Sequence, residues 1–211
     1  FQVNEKAGFT FAGALRALLR QDPDILMVGE VRDSETAQIA TQAALTGHLL
    51  LSTLHTNDAL SAPTRLTNMN IEPFLVAAIL RGVLGQRLAR KICPHCKETF
   101  VPDETARAAL GDRSDECKDL FRGVGCSRCR GRGYSGRLGI FELFVPDQDA
   151  LEAISRGVSL QELQSVVYAG GYRTMRDDGI DKALAGQTTM EEVTRVLSMS
   201  GIAASIVAEA E

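Results

Sequence analysis

The stretch from Arg20 to Thr56, RQDPDILMVGEVRDSETAQIATQAALTGHLLLSTLHT, leaves a narrow choice of folds. Ile25-Leu26-Met27-Val28 is an uninterrupted apolar run, the pattern of a parallel strand buried on both faces. Asp22-Pro23-Asp24 is a turn ahead of it. After Val31-Arg32-Asp33, Ser34 is suited to cap the helical composition SETAQIATQAAL, and Gly47 is placed to end that helix. His48 to Leu54 is a second apolar strand. Strand, helix and strand in this order make a βαβ unit, so the chain is α/β with a parallel sheet.

The topology fixes where chemistry can sit. Open α/β sheets bind ligands beyond the carboxyl ends of their strands. Gly29-Glu30 follows the first strand, and His55-Thr56-Asn57-Asp58 follows the second, so Glu30 and His55 arrive at one rim. A carboxylate there can orient a water for attack on phosphorus or hold a metal through its hydration shell. On the residues alone, Glu30 also fits a surface position in a turn, and His55 a hydrogen-bonded strand end. His48 opens its strand and falls near the opposite edge. Arg32 follows the acidic turn, within reach of Asp33 or Asp24.

Two Cys-x-x-Cys pairs, Cys93-Pro-His-Cys96 and Cys126-Ser-Arg-Cys129, are separated by 29 residues. Each pair presents two thiolates from one turn, and two such knuckles form a tetrahedral zinc site. Four protein ligands leave no open position, so the metal is structural. A redox dithiol needs only one pair, and disulfides are disfavoured in a reducing compartment. His95 lies inside the first knuckle as an alternative ligand. Glycines crowd the second knuckle (Gly123, Gly125, Gly131, Gly133). Residues 102–110 are a helix within the insert, which also carries Cys117 as a fifth, free thiol.

With these motifs in place, the chain resembles the secretion and pilus-assembly ATPases, the hexameric motors of type II secretion and type IV pilus extension. Leu26-Met-Val-Gly-Glu30 resembles their atypical Walker B motif, and Thr46-Gly-His48-Leu-Leu-Leu-Ser-Thr-Leu-His55-Thr their histidine box. The resemblance continues through Thr64-Arg65-Leu66, Gln86-Arg87-Leu88-Ala89-Arg90, the cysteine pairs, Gly139-Ile-Phe-Glu142-Leu, Met175-Arg-Asp-Asp-Gly179 and Thr188-Thr-Met-Glu-Glu192. It implies a RecA-like P-loop core with an inserted tetracysteine zinc module and a small carboxyl-terminal helical bundle. It further implies ATP, Mg²⁺ and Zn²⁺ as cofactors, Glu30, His55 and His48 as catalytic residues, Arg32 as a nucleotide contact, and Cys93, Cys96, Cys126 and Cys129 as metal ligands. The implied partners are further copies of the chain in a hexamer and an inner-membrane platform protein, at the cytoplasmic face of that membrane. The type II secretion branch is slightly favoured over the pilus branch.

A P-loop requires Gly-x-x-x-x-Gly-Lys-Ser/Thr. None of Lys6, Lys91, Lys97, Lys118 and Lys182 follows a glycine. Phe1-Gln-Val-Asn4 resembles a point inside the family's nucleotide-binding domain. The expectation is the later part of a longer ATPase that binds nucleotide poorly alone. Expected divisions are residues 1–90 for the ATPase core, 91–138 for the zinc module, 139–200 for the helical subdomain and 201–211 for a frayed tail.

Composition narrows the remaining classes. The net charge of −4 argues against simple nucleic-acid binding. Residues 90–140 nevertheless hold 11 Lys/Arg against 7 Asp/Glu, a basic module that in another context suggests nucleic acid and here offsets four thiolates. The longest apolar run outside the strands, Phe74–Leu80, is far short of a membrane span. Elsewhere the patterns predict helices over Thr10–Gln21, with Arg16 and Arg20 on one face, and from Glu72-Pro73 through Arg90. Ser159–Glu162 and Thr189–Glu192 read as capping boxes. Two rival classes remain: a zinc-dependent docking module without catalysis, and a nucleic-acid motor.

Overall fold

The computed structural model describes residues 10–198. The expectations for Phe1–Asn4 and for the 201–211 tail lie outside them. The chain forms two compact units, one running through Val83 and including Phe144–Tyr172, the other Leu84–Leu143 with the described residues from Arg173 onward. The helices after residue 147, expected together, are therefore shared between the two units.

In the first unit, α1 (Phe11–Leu19) starts where the Thr10 hydroxyl accepts the Gly13 N–H. Strand β1 (Ile25–Val28) runs parallel to β2 (Leu49–Ser52), with Ile25 opposite Leu49 and Val28 opposite Ser52. The crossover is α2 (Ser34–Leu45), whose inward face of Thr36, Ala37, Ile39, Ala40, Thr41 and Ala43 is mostly small, so its backbone can lie close to its neighbours. Its cap is Asp33, not Ser34. The Asp33 carboxylate accepts both the Thr36 N–H at 2.8 Å and the Thr36 hydroxyl at 2.9 Å. A carboxylate at a helix N-terminus also gains from the dipole, an advantage a serine lacks. Arg16 pairs with Glu35 at 2.8 Å on an exposed surface, where such a pair contributes little.

The strands are not buried on both faces as expected. Leu26 and Val28 are buried, but Ile25 and Met27 are 62% and 74% exposed, and Leu49 and Leu51 about half exposed. Among the described residues the sheet has two strands and one covered face. The apolar run is what a doubly covered strand requires, and nothing described covers the second face. Helices α3 (Ala62–Asn68), α4 (Pro73–Ile79), α6 (Gln148–Ser155) and α7 (Leu160–Ala169) complete the unit. The core joins Leu26, Val28, Val31, Leu60, Val76 and Phe144, with the Tyr172 ring edge-on to Phe144.

The helix expected to run to Arg90 ends at Ile79. Leu80 is extended, and Val83–Ile92 is strand β3, hydrogen-bonded to β6 (Tyr134–Phe144). Gly82 and Gly85 weaken helix, and Gly85 is needed for close approach: a Cβ there would lie 2.8 Å from the Glu142 side chain and 2.9 Å from Met175. In the same second unit, β4 (Lys97–Phe100) pairs antiparallel with β5 (Leu120–Gly123). Between them, α5 (Glu104–Leu110) and a 3-10 turn (Gly111–Glu116) lead to Cys117, which is buried beside Leu110 and Leu120. Helix α8 (Met175–Leu184) carries a reciprocal capping box of Thr174 and Asp177.

The box expected at Thr189 is only half formed. The Thr189 hydroxyl accepts the Glu192 N–H, but the Glu192 carboxylate turns inward. It accepts the Arg90 backbone N–H at 2.9 Å, the Arg90 guanidinium at 2.6 and 2.9 Å, and the Arg195 guanidinium at 2.6 and 2.7 Å. Arg90 also lies over the Tyr134 ring. Helical residues 190–198 are thus fastened to β3 just before Cys93. Burial pushes the Glu192 carboxyl up, but the hydrogen bonds from Arg195 and Arg90 outweigh it and hold it at about 2. Against about 4.3 in an unfolded chain, the cluster contributes fully above that value and loses its contribution as pH falls toward 2. Glu192→Gln is expected to cost about 2 kcal/mol at neutral pH, less than the roughly 3–5 kcal/mol of a wholly buried pair because both guanidiniums keep nearly half their surface in water. Paired denaturant melts at pH 7 and near pH 2.5 check this: the gap between wild type and variant narrows in acid.

Candidate functional site

Beyond the carboxyl ends of β1 and β2, three side chains meet at one oxygen. Arg32 Nε lies 2.6 Å from Glu30 Oε2, and His55 Nε2 lies 3.2 Å from the same atom. Glu30 arrives at the end of β1 through Gly29, and His55 follows β2 three residues past its last paired residue, Ser52. The Glu30 side chain is about one-fifth exposed, whereas Arg32 and His55 stand mostly in solvent. Burial pushes the Glu30 carboxyl up, the hydrogen bonds from Arg32 and His55 push it down, and the net position is below the ordinary range. Glu30 is ionised at neutral pH, with one oxygen occupied and the other unbonded among the described residues. Arg32 pairs with Glu30 rather than with Asp33 or Asp24, and Asp33 is engaged as a cap.

His48 is not at this rim. Its Nδ1 lies 2.9 Å from the Ala43 carbonyl and 3.1 Å from the Thr46 hydroxyl, at the start of β2. The same carbonyl also accepts the His48 backbone N–H at 3.2 Å and the Thr46 hydroxyl at 2.9 Å, so the ring sits against the C-terminal turn of α2. Thr53, not singled out among the sequence motifs, also reaches the Glu30 turn: its hydroxyl donates to the Gly29 carbonyl at 2.7 Å. Its signal was there to read: a polar residue inside an apolar strand, two positions before His55.

In the second unit the four cysteines of the two pairs converge. All four sulfurs lie within 4.8 Å of one another. Cys93–Cys126, Cys96–Cys129 and Cys126–Cys129 are separated by 3.9, 3.8 and 3.8 Å. These are not disulfide distances, and every cysteine is free. A tetrahedron with metal–sulfur bonds near 2.3 Å has edges of about 3.8 Å, so the set fits a zinc-sized ion. His95 is exposed and outside the cluster.

The backbone builds this arrangement. The first knuckle joins β3 to β4 and the second joins β5 to β6. They are tied by the Cys93 N–H to the Gly133 carbonyl at 2.9 Å and the Val124 N–H to the Cys96 carbonyl at 3.0 Å. A Cβ on Gly123 would fall 2.0 Å from the Gly133 carbonyl oxygen, so only glycine fits that crossing. The Cys129 sulfur accepts the N–H of Cys126 at 3.2 Å and of Gly133 at 3.3 Å, and these bonds draw its thiol down to about 6. Burial pushes the Cys96 thiol up to about 12. Four sulfurs in this arrangement are compatible with a bound cation.

The sequence matches the family described as Type II/IV secretion system protein over residues 1–195. The chain belongs to this family. Among its relatives, the type IV pilus assembly ATPase PilB of Thermus thermophilus is 55% identical over 194 residues, which are 91% of this chain and 22% of PilB. The type II secretion system ATPase E of Vibrio cholerae is 50% identical over 199 residues, 94% of this chain and 39% of that protein. The type II secretion system protein E of Pseudomonas aeruginosa is 53% identical over 195 residues, 92% of this chain and 39% of that protein. The chain thus spans between about a fifth and two-fifths of these relatives, and both branches of the family match it alike.

Among solved structures, the pilus retraction motor PilT with bound ADP superposes with a TM-score of 0.62 at 28% identity, covering 89% of this chain and 43% of PilT. The ATPase DotB of Legionella pneumophila shares the fold, with a TM-score of 0.61 at 22% identity over 90% of this chain and 42% of DotB. The fold is accordingly the α/β, RecA-like fold of these family ATPases, carrying the four-cysteine cluster. No described helix is long and apolar enough to cross a membrane.

Proposed function

We propose that this chain forms part of an ATPase motor that hydrolyses ATP to drive type II protein secretion or type IV pilus extension. The observation that supports it most is the convergence of Arg32 and His55 on Glu30 at the carboxyl ends of parallel strands, in a member of this family. Glu30 accepts a proton from the attacking water or orients it. Arg32, freed from Glu30, contacts phosphate oxygens, and His55 reports the γ-phosphate through its link to the same carboxylate. His48 anchors the start of β2, and we assign it no chemical step. Mg²⁺, held mainly by groups outside this chain, would neutralise charge on the transferred phosphate.

The phosphate-cradling loop lies in another part of the longer protein, and the open face of the β1–β2 sheet packs against that part. The span of only 22–39% in the relatives supports this arrangement. The working form is a homohexamer at the cytoplasmic face of the inner membrane, bound to a platform protein. Zinc, held by Cys93, Cys96, Cys126 and Cys129, supplies structure and no chemistry. The proposal is tested by Mg-ATP turnover of the full-length protein in its oligomeric, zinc-loaded form. Turnover is expected. Its absence, even with inner-membrane partners added, would leave the zinc-dependent docking module as the better reading.

A further inference from the structure

We infer that Thr53 is a positioning residue for the reaction, a strap that aims Glu30 by holding the peptide units on either side of it. The inference rests on the reading of Glu30 as the group that acts on the attacking water. The Thr53 hydroxyl donates to the Gly29 carbonyl at 2.7 Å, and the Thr53 carbonyl accepts the Val31 N–H at 3.1 Å. Gly29 and Val31 flank Glu30, so the residue immediately after β2 fixes the turn both before and after the carboxylate.

The regular pairing of the strands stops at Val28 and Ser52, one residue short of this turn. Beyond that point two parallel chains are free to diverge, and the strap carries the register onward. Packing does not do this at Gly29, where an added Cβ would meet only the Phe11 ring at 3.8 Å. Val31 is buried and anchors the far side of the turn in the core. Thr53 is itself exposed, so burial does not account for its hydroxyl. Two bonds and one buried side chain therefore fix the Glu30 backbone, while its carboxylate stays free to exchange partners with Arg32 and His55.

The test compares the full-length protein with Thr53→Val, Thr53→Ser, Glu30→Gln and the Thr53→Val/Glu30→Gln double variant in Mg-ATP hydrolysis, with folding followed by circular dichroism. Thr53→Val removes the donor and is expected to lower kcat about ten- to a hundred-fold, the cost of a misplacement near 1 Å, with KM for ATP little changed. Thr53→Ser keeps the donor and restores most of the rate. In single-turnover reactions at excess enzyme, Thr53→Val adds no loss once Glu30 is Gln, because the strap has nothing left to aim.

A wild-type rate in Thr53→Val beside an inactive Glu30→Gln overturns the inference and leaves the role of Glu30 intact. So does an equal loss in the Glu30→Gln background, or Thr53→Ser as slow as Thr53→Val. If Thr53→Val does not fold, Thr53→Ala removes the same donor and is read the same way. Failure of both to fold makes Thr53 a residue of the fold and overturns the inference. Full turnover of Glu30→Gln is a separate result: it excludes proton acceptance and leaves Glu30 the orienting role, and the strap then stands or falls on Thr53→Val against Thr53→Ser.

Discussion

Glu30→Gln is expected to lower Mg-ATP turnover by about 10²- to 10⁴-fold, the usual contribution of a positioned proton acceptor, while nucleotide binding survives. The substitution keeps the volume of the side chain and an oxygen that can accept hydrogen bonds from Arg32 and His55. It removes the charge and the ability to take a proton. The hydrogen bonds from Arg32 and His55 outweigh burial and hold the Glu30 carboxyl below the ordinary range, so the acid limb of the kcat/KM profile should lie below the usual carboxylate range. A carboxylate held below its ordinary range is a weaker base while its partners stay. In the proposed mechanism Arg32 leaves Glu30 as the carboxylate acts, with the charge on an arriving phosphate as the competing partner. Steady-state kinetics with Glu30→Gln and Glu30→Ala, alongside nucleotide binding, check the prediction. A fully active Glu30→Gln beside an inactive Glu30→Ala would exclude proton acceptance and leave only a role in orienting water.

What the sequence reveals here follows from the range of each interaction. The β1–α2–β2 unit was legible because its signals are local: an apolar run, a cap, a helical composition and a stop glycine all lie within residues 25–47. The rim followed from topology, since parallel strands must deliver Glu30 and His55 to the same end, and the cysteine pairs were legible from spacing. The misreadings concern partners distant in sequence. Residues 83–92 read as a continuation of α4 because the strand is defined by β6, more than 40 residues on, and by Gly85 yielding space to Glu142. Glu192 read as a capping residue because a box is a four-residue pattern, whereas its true partner Arg90 is 102 residues away. The cap of α2 is a local exception: Ser34 reads as the cap, whereas the bonds to Thr36 give that role to Asp33. The apolar residues of β1 and β2 do fit a doubly covered strand, but among the described residues nothing covers the second face.

Removal of zinc is expected to unfold the cysteine module while the first unit keeps its structure. The knuckles hold few apolar side chains of their own. Between Cys93 and Cys129, the second core receives Leu110, Cys117 and Leu120, all from the insert and β5, and none from the knuckle turns. What fixes the turns is a handful of backbone hydrogen bonds and the four sulfurs. Structural zinc in small domains contributes an apparent 10–16 kcal/mol, roughly, at neutral pH, which exceeds what those bonds supply. The loss should stop at the boundary of the unit: β1, α2 and β2 draw on a separate core of Leu26, Val28, Ile39 and Val76. Chelation, with zinc release followed by a colorimetric indicator, should give one metal per chain. Hydrogen exchange should then show residues 93–133 deprotected and residues 25–52 unchanged. Cys129→Ser should reproduce the chelated state, because Cys129 is a proposed ligand and also accepts two backbone N–H groups. Cys117→Ser should keep full zinc stoichiometry, since Cys117 lies outside the cluster and, among the described residues, its sulfur bonds the Asp119 carbonyl. If the chelated protein retains wild-type protection across 93–133, the hydrogen bonds between the knuckles suffice alone, and the metal has no structural role.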